Sequence, residues 1–371
     1  MAGKKPGRLT MNLDTNLVLI TGPLGWLGTR VVEALVRGLS GHPQLSAPAP
    51  GLRLRCLVQP GQSFLPLAQL SDRLRICVGD LRRPADLVRF CDGAKGAVLL
   101  HTAGVVWPLW TQDYFKVNRD GTAALLDAAM KAGVRRVVAV SHAAACGGSV
   151  SPEAPLTEDS PCRPRDALGR SMLAFEKAVA ARQGELETVI LRAPQFYGPN
   201  PPSVEARRFR RLLAGGTIFA GPGGNPRSMV FVDNVCQAVL LAAGRRRAAG
   251  QLYWIADRAT PSVGEIESTL DKLLRGEFGK PPLRRKALAG GVFSAASALT
   301  AVLQGAGLAV PSLAQFTGMT TALACSIAKA EAELSYQPAV ELEEGLRQTL
   351  RWCVEHPEVK PVAADAKPPA A

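Results

Sequence analysis

The sequence predicts an α/β protein: a Rossmann-type parallel sheet with helices on both faces, followed by a smaller C-terminal lobe. Two observations predict this fold. Short apolar runs alternate with segments of helical spacing through the first half of the chain, a pattern typical of βαβ units and a parallel sheet. The first apolar run, residues 16–20, continues directly into TGPLGWLG and then a helical segment, which is the order strand, glycine turn, helix.

The later elements follow in a regular order. The segment TRVVEALVRGL predicts the first helix, and residues 40–51 are rich in Pro, Gly and Ser, which predicts a loop. Further strands are predicted at residues 52–58, 73–80, 96–104, 135–144 and 187–194, and helices at 119–132 and 168–183. Beyond residue 197, loops, helices and the short strands MVFVD and QLYWIA lose this period, which indicates a second lobe.

These patterns divide the chain into four parts. Residues 1–15 are predicted to be a basic, flexible tail, and residues 16–197 the Rossmann domain. Residues 198–355 are predicted to be a substrate lobe with returns to the first domain. Residues 356–371 are rich in Pro, Ala and Lys, which predicts a flexible tail.

The composition is that of a globular protein with a large core, since hydrophobic residues make up 47% of the chain. The formal charge is +13, but the basic residues stand in short scattered groups without interleaved aromatic residues, so nucleic acid is not an expected partner. The eight cysteines lack CxxC spacing and do not cluster with the four histidines, so neither a metal site nor a disulfide framework is predicted. Free thiols and an amino-terminal segment without an apolar run favour a cytoplasmic location.

Gly22, Gly25 and Gly28 in TGPLGWLG lie at the junction of the first strand and the first helix. Glycines let a diphosphate approach the backbone, and the free N–H groups at the start of the helix bind phosphate. A glycine pattern alone is weak evidence, but its place at the first strand–helix junction makes it a specific sign of dinucleotide binding.

Through this loop and several further motifs, the sequence resembles the extended short-chain dehydrogenase/reductase family, within the NAD-dependent epimerase/dehydratase superfamily. The similar segments are TGPLGWLG, GDL, HTAG, VNRDGTAALLDAAMKAGVRRVVAVS, LRAPQFYGP and MVFVDNVCQAVLLA. Together they extend over nearly the whole chain except the tails. Two late segments, PSLAQFTG and AKAEAELSYQPAVELEEGLRQTL, are similar to the branch around the 3β-hydroxysteroid dehydrogenases.

The resemblance implies a nicotinamide dinucleotide as cofactor and a set of contacts to it. The implied contacts are Gly22, Gly25, Trp26, Leu27 and Gly28 at the diphosphate, Asp80 and Leu81 at the adenine, Thr102, Ala103 and Gly104 along the cofactor, Asn118 as a brace near the active site, and Ser141 beside the nicotinamide. Asp80, at the end of a predicted strand, is well placed to accept a hydrogen bond from an adenine amino group; the alternative is an aspartate that only serves a turn.

The choice between NADH and NADPH depends on the end of the second predicted strand. Dinucleotide-binding folds that prefer NAD hold the ribose hydroxyl with an acidic residue near this place. Gln59 stands in that region instead, which favours NADPH, although Arg53 and Arg55 lie within the strand rather than after it.

The family's catalytic residues are a Ser or Thr, a Tyr and a Lys. The segment LGRSM takes the register of the family's YGxSK, so that Leu168 stands for the tyrosine and Met172 for the lysine, while His142 takes the serine position. Phe175 and Glu176 support this register. Because leucine and methionine carry no titratable group, alcohol oxidation by the usual triad is excluded.

Three interpretations of this loss stay open. The enzyme could reduce an electron-poor acceptor that needs no protein acid, since a general acid contributes roughly 10²–10⁴-fold. His142, beside Ser141, could serve as the acid or hydrogen-bond donor, because the ordinary pKa of histidine suits that role; the alternative is a histidine bonded to nearby backbone. Tyr114 and Tyr197 are weaker candidates. Third, the protein could be a nucleotide-binding scaffold or sensor without turnover.

A long uncharged stretch extends from Ala287 to Ala328 behind the basic residues 284–286. Its first part, residues 287–310, is long enough to span a bilayer but is only modestly hydrophobic. We expect a helix packed within the second lobe; the alternative is a helix at a membrane interface beside its basic flank. Either structure favours a lipophilic substrate.

The sequence therefore predicts an NAD(P)H-dependent reductase of atypical mechanism. Its expected substrate is a lipophilic ketone or an electron-poor conjugated acceptor, as in specialised-metabolite biosynthesis. The expected location is the cytoplasm, with peripheral membrane contact through residues 287–310 as the alternative to a packed helix. The sequence is compatible with a homodimer but does not determine the oligomeric state.

Overall fold

A seven-stranded parallel sheet lies at the centre of the protein, with the strand order β3-β2-β1-β4-β5-β6-β10. The computed structural model describes residues 13–39, 42, 45–149, 154–220, 223–288, 290–310, 313, 316 and 321–357. The strands are β1 (Leu17–Thr21), β2 (Arg53–Val58), β3 (Leu74–Val78), β4 (Val98–His101), β5 (Arg136–His142), β6 (Glu187–Ala193), β7 (Gln195–Tyr197), β8 (Thr217–Ala220), β9 (Met229–Phe231), β10 (Leu252–Trp254) and β11 (Arg284–Ala287). The predicted Rossmann-type fold is thereby confirmed.

Helices cover both faces of this sheet. They are α1 (Trp26–Val36), α2 (Leu65–Ala68), α3 (Pro84–Cys91), α4 (Thr111–Tyr114), α5 (Thr122–Lys131), α6 (Ala167–Ala180), α7 (Ser203–Leu213), α8 (Val232–Gly244), α9 (Val263–Gly276), α10 (Gly290–Gly305), α11 (Ala328–Leu334) and α12 (Leu342–Glu355). Helices α1 and α8 bury apolar residues against one face, and α3, α5 and α6 against the other. The apolar strand runs are buried from both sides, as parallel sheets require.

Strands β4 and β5 are shorter than predicted. The predicted strands extended to residues 104 and 144, but β4 ends at His101 and β5 at His142. A loop follows β4 and a short 3₁₀ helix, Ala143–Ala145, follows β5. Both lie beyond the carboxyl ends of the strands, where open α/β sheets bind ligands. A turn of π-helix, Phe115–Gly121, joins α4 to α5, and such turns often occur at functional sites.

The second lobe has its own apolar core. Helices α7, α9 and α12 pack around the paired strands β7 and β9, with Phe209, Leu273 and Leu350 among the buried residues. Strand β11 pairs with β8 beside them. Helix α9 begins with a capping box, in which the side chains of Ser262 and Glu265 satisfy each other's backbone N–H groups.

The chain returns from the second lobe to the sheet through a helix and a strand. Helix α8 is buried along residues 232–243 and packs against the same sheet face as α1. Strand β10 follows and pairs with β6 as the last strand of the sheet. Most of the predicted tails, residues 1–12 and 358–371, lies outside the described residues, whereas Leu13 is buried and its carbonyl accepts a hydrogen bond from Arg135.

Two expectations drawn from the sequence are wrong. Cys146 and Cys162 form a disulfide bond, so not all eight cysteines are free thiols; the pairing joins two loops that only the fold brings together. Helix α10 was expected to pack within the second lobe, yet of its larger side chains Val292, Leu299 and Val302 are exposed and Phe293 is buried. Within the described residues, no helix combines the length and hydropathy that a bilayer span needs.

Candidate functional site

The glycine loop, residues 22–28, makes the closest backbone contacts at the carboxyl end of the sheet. Gly22 has a φ of 69°, and a Cβ atom there would lie 2.8 Å from the Cα of Ala103. A Cβ atom on Gly28 would lie 1.9 Å from the carbonyl oxygen of Gly22. The fold therefore requires glycine at both positions, and only glycine lets α1 begin so close to β1.

Gly25 has a different role, because a Cβ atom there would meet only the carbonyl of Gly22, at 3.2 Å. It precedes the first turn of α1, which no side chain caps. The N–H groups of that turn have no helical acceptor and are free to bind an anion. The loop thus fits the diphosphate of a dinucleotide through backbone groups.

The side chains of Trp26 and Leu27 are held by contacts within the protein. Leu27 is buried in the apolar core on the sheet face covered by α1. The indole N–H of Trp26 donates a hydrogen bond of 2.8 Å to the carbonyl of Pro199, and its ring packs edge-on against Phe196. Trp26 therefore links the glycine loop to the beginning of the second lobe.

The loop after β4 forms the neighbouring wall. The Thr102 hydroxyl donates to the Thr21 carbonyl at 2.7 Å, which holds this loop beside β1. Gly104 is exposed, and a Cβ atom there would lie 3.3 Å from the side-chain oxygen of Asn118.

Asn118, in the π-helical turn, fixes this wall. Its amide oxygen accepts from the Val105 N–H at 2.9 Å, and its amide nitrogen donates to the Val105 carbonyl and to the hydroxyl of Ser171 on α6. One side chain thus joins the loop after β4 to α6. This geometry is that of a brace between two walls of the site.

The two residues expected to contact the adenine are already engaged within the protein. Leu81 is buried in the core. Both carboxylate oxygens of Asp80 accept from the Arg82 guanidinium, at distances of 2.6 to 3.1 Å. Burial would raise the pKa of Asp80, but hydrogen bonds and the charge of Arg82 lower it below its ordinary value. An adenine amino group would have to share this carboxylate with Arg82.

The end of β2 offers an amide rather than a cation. Gln59 is exposed directly after the strand. Arg53 stands at the beginning of β2, at the opposite edge of the sheet, and the Arg55 guanidinium donates to the carbonyls of Phe90 and Asp92. Neither arginine of this strand lies where a ribose 2′-phosphate would need it.

Ser141, near the end of β5, is part of a buried polar network. Its hydroxyl donates to the Glu176 carboxylate at 2.6 Å, and Arg192 donates two hydrogen bonds to the same carboxylate, at 2.9 and 2.5 Å. All three residues are buried. Ser141 thus anchors the end of β5 to α6 and β6.

His142 ends β5, and its ring is oriented by the backbone that follows. The Ala144 N–H donates to Nδ1 of the imidazole at 3.0 Å. Since Nδ1 must accept, the neutral ring carries its proton on Nε2. Burial lowers the pKa of His142 below its ordinary value, partly offset by the negative charge of Asp166. The neutral ring is therefore the stable form at neutral pH, and within the described residues the contact from Ala144 to Nδ1 is the one hydrogen bond found for the ring.

Helix α6 begins beside this histidine. Asp166 caps the helix by accepting from the Gly169 N–H at 2.7 Å. A Cβ atom on Gly169 would lie 2.4 Å from the Ala144 carbonyl, so the first turn of α6 packs directly against the loop that holds the His142 ring. The structure thus brings Leu168 and His142, 26 positions apart in the sequence, to the same corner of the site.

Leu168 and Met172 make this corner apolar. Leu168 packs against a buried cluster that contains Tyr114 and Ala309, as Val105 and Phe115 also do, and Met172, one turn further along α6, is buried. The hydroxyl of Tyr114 donates to the Val106 carbonyl at 3.2 Å, and burial raises its pKa above the ordinary value. The neighbours of Leu168 thus offer no readily transferred proton.

Tyr197 lies elsewhere, because its hydroxyl donates to the buried carboxylate of Asp257 in the second lobe. Sequence reasoning used Glu176 only to support the register of α6 and missed its pairing with Ser141 and Arg192. The spacing of Leu168, Met172 and Glu176, four residues each, places them on one helix face and could have indicated a shared environment.

Known proteins support the family resemblance. The model of the NAD dependent epimerase/dehydratase family matches residues 18–256. A relative from Sinorhizobium fredii, "Uncharacterized protein y4nL", is 38% identical over 93% of this chain and 97% of its own length. Sterol-4-alpha-carboxylate 3-dehydrogenase erg26, decarboxylating, from Schizosaccharomyces pombe is 28% identical over 77% of this chain and 86% of its own.

A solved structure agrees with these sequence matches. DesIV, a dTDP-glucose 4,6-dehydratase from Streptomyces venezuelae with NAD bound, has a TM-score of 0.71 at 25% identity. The similarity covers 91% of this chain and 97% of that one. The family and fold predicted from the motifs are thus confirmed.

Proposed function

Because the chain belongs to the NAD dependent epimerase/dehydratase family, we propose that it is a reductase that transfers hydride from a nicotinamide dinucleotide to a lipophilic, electron-poor ketone or conjugated acceptor. The single observation that carries the proposal is the corner formed by His142 and Leu168. The proposal takes Leu168 and Met172 to occupy the family's tyrosine and lysine positions. Leu168 is partly buried and Met172 is buried, so neither offers a proton, while the glycine loop fits a diphosphate.

The proposed cofactor is NADH. The backbone of residues 22–28 fits a diphosphate, and the loop after β4 gives a second wall. Gln59 can share hydrogen bonds with a ribose hydroxyl, whereas Arg53 and Arg55 are placed away from a 2′-phosphate. On the sequence alone, the absence of an acidic residue after β2 favours NADPH. We give more weight to the positions of Gln59, Arg53 and Arg55, which favour NADH.

His142 is proposed to act as a neutral hydrogen-bond donor. When bound, the dinucleotide supplies a hydride to the acceptor carbon, and negative charge then develops on the substrate oxygen. The Nε2–H of His142 would stabilise that oxygen, which is the task of an oxyanion-binding donor. Loss of this proton from a neutral imidazole would leave an imidazolate, so His142 donates a hydrogen bond and water delivers the proton to the oxygen.

The apolar corner restricts the substrate. Leu168 and Met172 cannot transfer a proton, so an acceptor that already stabilises added negative charge is favoured over an unactivated ketone. Val105, Phe115 and Leu168 give the wall a lipophilic surface. A relative named as a sterol carboxylate dehydrogenase is consistent with such a substrate class.

The test is single-turnover oxidation of NADH and NADPH by two matched ring ketones, one conjugated and electron-poor and one saturated. We expect oxidation of NADH by the electron-poor ketone alone. Tight cofactor binding with no oxidation by any electron-poor acceptor would contradict a reductase and support a nucleotide-binding scaffold.

A further inference from the structure

One face of α10 is exposed and uncharged. Val292, Leu299 and Val302 are 44%, 51% and 69% exposed. Their spacing of seven and three residues places them on the same side of the helix. No charged residue occurs from Ala287 to Ala328. Surface helices usually carry charged residues on their exposed side, so this face has the composition of a covered surface.

A second exposed apolar segment joins this helix. Leu109 and Trp110, in the loop after β4, are 63% and 46% exposed. The chain just after α10 pairs with this loop: Trp110 and Leu308 form an antiparallel bridge, and the Ala309 N–H donates to the Leu109 carbonyl at 2.9 Å. We call Leu109, Trp110, Val292, Leu299 and Val302 together the α10 surface.

Basic residues precede the α10 surface. Arg284 and Lys286 are exposed on β11, which ends three residues before α10 begins, and Arg285 lies between them. Apolar side chains on a surface helix can insert at the boundary between headgroups and acyl chains, and tryptophan favours the same depth. Basic residues next to such a helix are attracted to anionic lipid. We propose that the α10 surface docks on a membrane rich in anionic lipid, with α10 in the plane of the interface.

The composition of α10 favours lipid over a protein partner. Ala, Gly and Ser fill most of the helix between its few large side chains, and no charged or hydrogen-bonding pattern would select one protein surface. Such a helix binds weakly through its apolar side chains alone, so attraction of the basic residues to anionic headgroups is the second contribution that docking needs.

Docking would place the candidate site beside the lipid. The Gln304 side chain, near the end of α10, accepts from the Ala167 N–H at 2.9 Å at the beginning of α6. Ala309 is buried against the cluster that contains Tyr114 and Leu168. Entry of a lipophilic acceptor from the membrane follows if the proposed reductase function is correct, whereas docking itself does not depend on that function.

The test is sedimentation of the full chain with vesicles of phosphatidylcholine, alone and mixed with phosphatidylglycerol, without cofactor. We expect about tenfold more bound protein on the mixed vesicles, reduced by high salt. Leu299→Asp with Val302→Asp should abolish binding, and Arg284→Glu with Lys286→Glu should remove the preference for the anionic lipid. Val88→Asp, at an exposed valine on α3, is the control for an added charge.

Circular dichroism shows whether each variant is folded, and sedimentation velocity gives its assembly state. Equal binding by the control and by the α10 variants would overturn the proposal, as would no binding to either vesicle. A wild-type dimer that Val302→Asp dissociates, without vesicle binding, would assign the α10 surface to a second copy of the chain instead. Because cofactor is absent, failure of the reductase proposal would leave this result unaffected.

Discussion

The backbone N–H of Ala144 donates a hydrogen bond of 3.0 Å to Nδ1 of His142. This contact determines which protonation state of the ring fits the fold, because a protonated ring carries a hydrogen on both nitrogens and cannot accept from Ala144. His142 is thereby held as a neutral ring with its proton on Nε2, and a role as hydrogen-bond donor can be tested separately from that of an acid.

His142→Ala should slow single-turnover oxidation of NADH roughly 10²-fold, the usual effect of removing an oxyanion donor. His142→Gln, which keeps an N–H donor, should retain more of the rate. In the wild type the rate should be flat above neutral pH and fall as the pH drops through the lowered pKa of His142, since protonation breaks the contact to Ala144. A rate that rises with falling pH would instead identify a protonated imidazole acid.

Leu168→Tyr should give little gain in turnover, because Met172, one turn further along α6, is buried and uncharged and cannot lower the pKa of the new tyrosine. The same single-turnover assay measures this, with Leu168→Phe as the control for size. A gain of roughly 10²-fold, the lower bound for a working general acid, would show that the reaction lacks only a proton donor.

Gly25→Asp should abolish dinucleotide binding and leave the fold intact. A side chain at Gly25 meets only one backbone atom, at 3.2 Å, but its carboxylate would repel the diphosphate and occupy the free N–H groups of α1. Gly184→Asp is a matched control, because a Cβ atom there has no neighbour within 4 Å. Calorimetric titration with NADH gives the result; equal affinity of wild type and Gly25→Asp would disprove the role of this loop.

The stability of the protein should fall as the pH drops from about 6.5 to 4. Burial lowers the pKa of His101 from 6.5 to about 4, so the unfolded chain takes up a proton in this range before the folded protein does. Stability is therefore lost on acidification, by about 3 kcal/mol for this residue. Urea unfolding at several pH values measures the slope, and His101→Asn should reduce it; an unchanged slope would assign it to other groups.

Glu176→Gln should lower the free energy of unfolding by about 3–5 kcal/mol, the usual effect of removing one partner of a buried ion pair. Arg192 would then keep an uncompensated charge in the core. Replacing both residues by methionine should be less destabilising than the single change, because neither charge remains. Urea unfolding of the wild type and the two variants decides this, and a double variant less stable than Glu176→Gln would contradict the account of an uncompensated charge.

The fold could be predicted from local sequence because its strongest signals are local. The strand, the glycine loop and the first turn of α1 are consecutive, and the glycines at 22 and 28 are demanded by contacts within or beside that segment. Most strands of the sheet are buried on both faces and are therefore continuous apolar runs, so each of these strands can be predicted from its own sequence. Strand β10 has three residues and becomes part of the sheet only through β6, which no local pattern indicates.

The glycine loop and the individual residues of the candidate site could be predicted from the sequence, but the contacts between residues far apart in the chain could not. His142, Leu168 and Met172 were identified from the family register, but the contact of Gly169 with Ala144 and the network of Glu176 with Arg192 join segments far apart in the chain. The exposure of Val302 was not predicted, because an apolar helix is normally buried. Tertiary packing alone determines which face of such a helix is exposed to solvent.

Strand β10 also has a consequence for synthesis of the protein. The edge of β6 stays unpaired until about sixty further residues have been added, and α8, which covers the sheet beside it, is made in the same interval. A nascent chain that ends near residue 200 thus exposes a bare strand and an open apolar sheet face, which invites aggregation. We therefore expect a fragment that ends near residue 200 to aggregate rather than fold, because it lacks both α8 and β10.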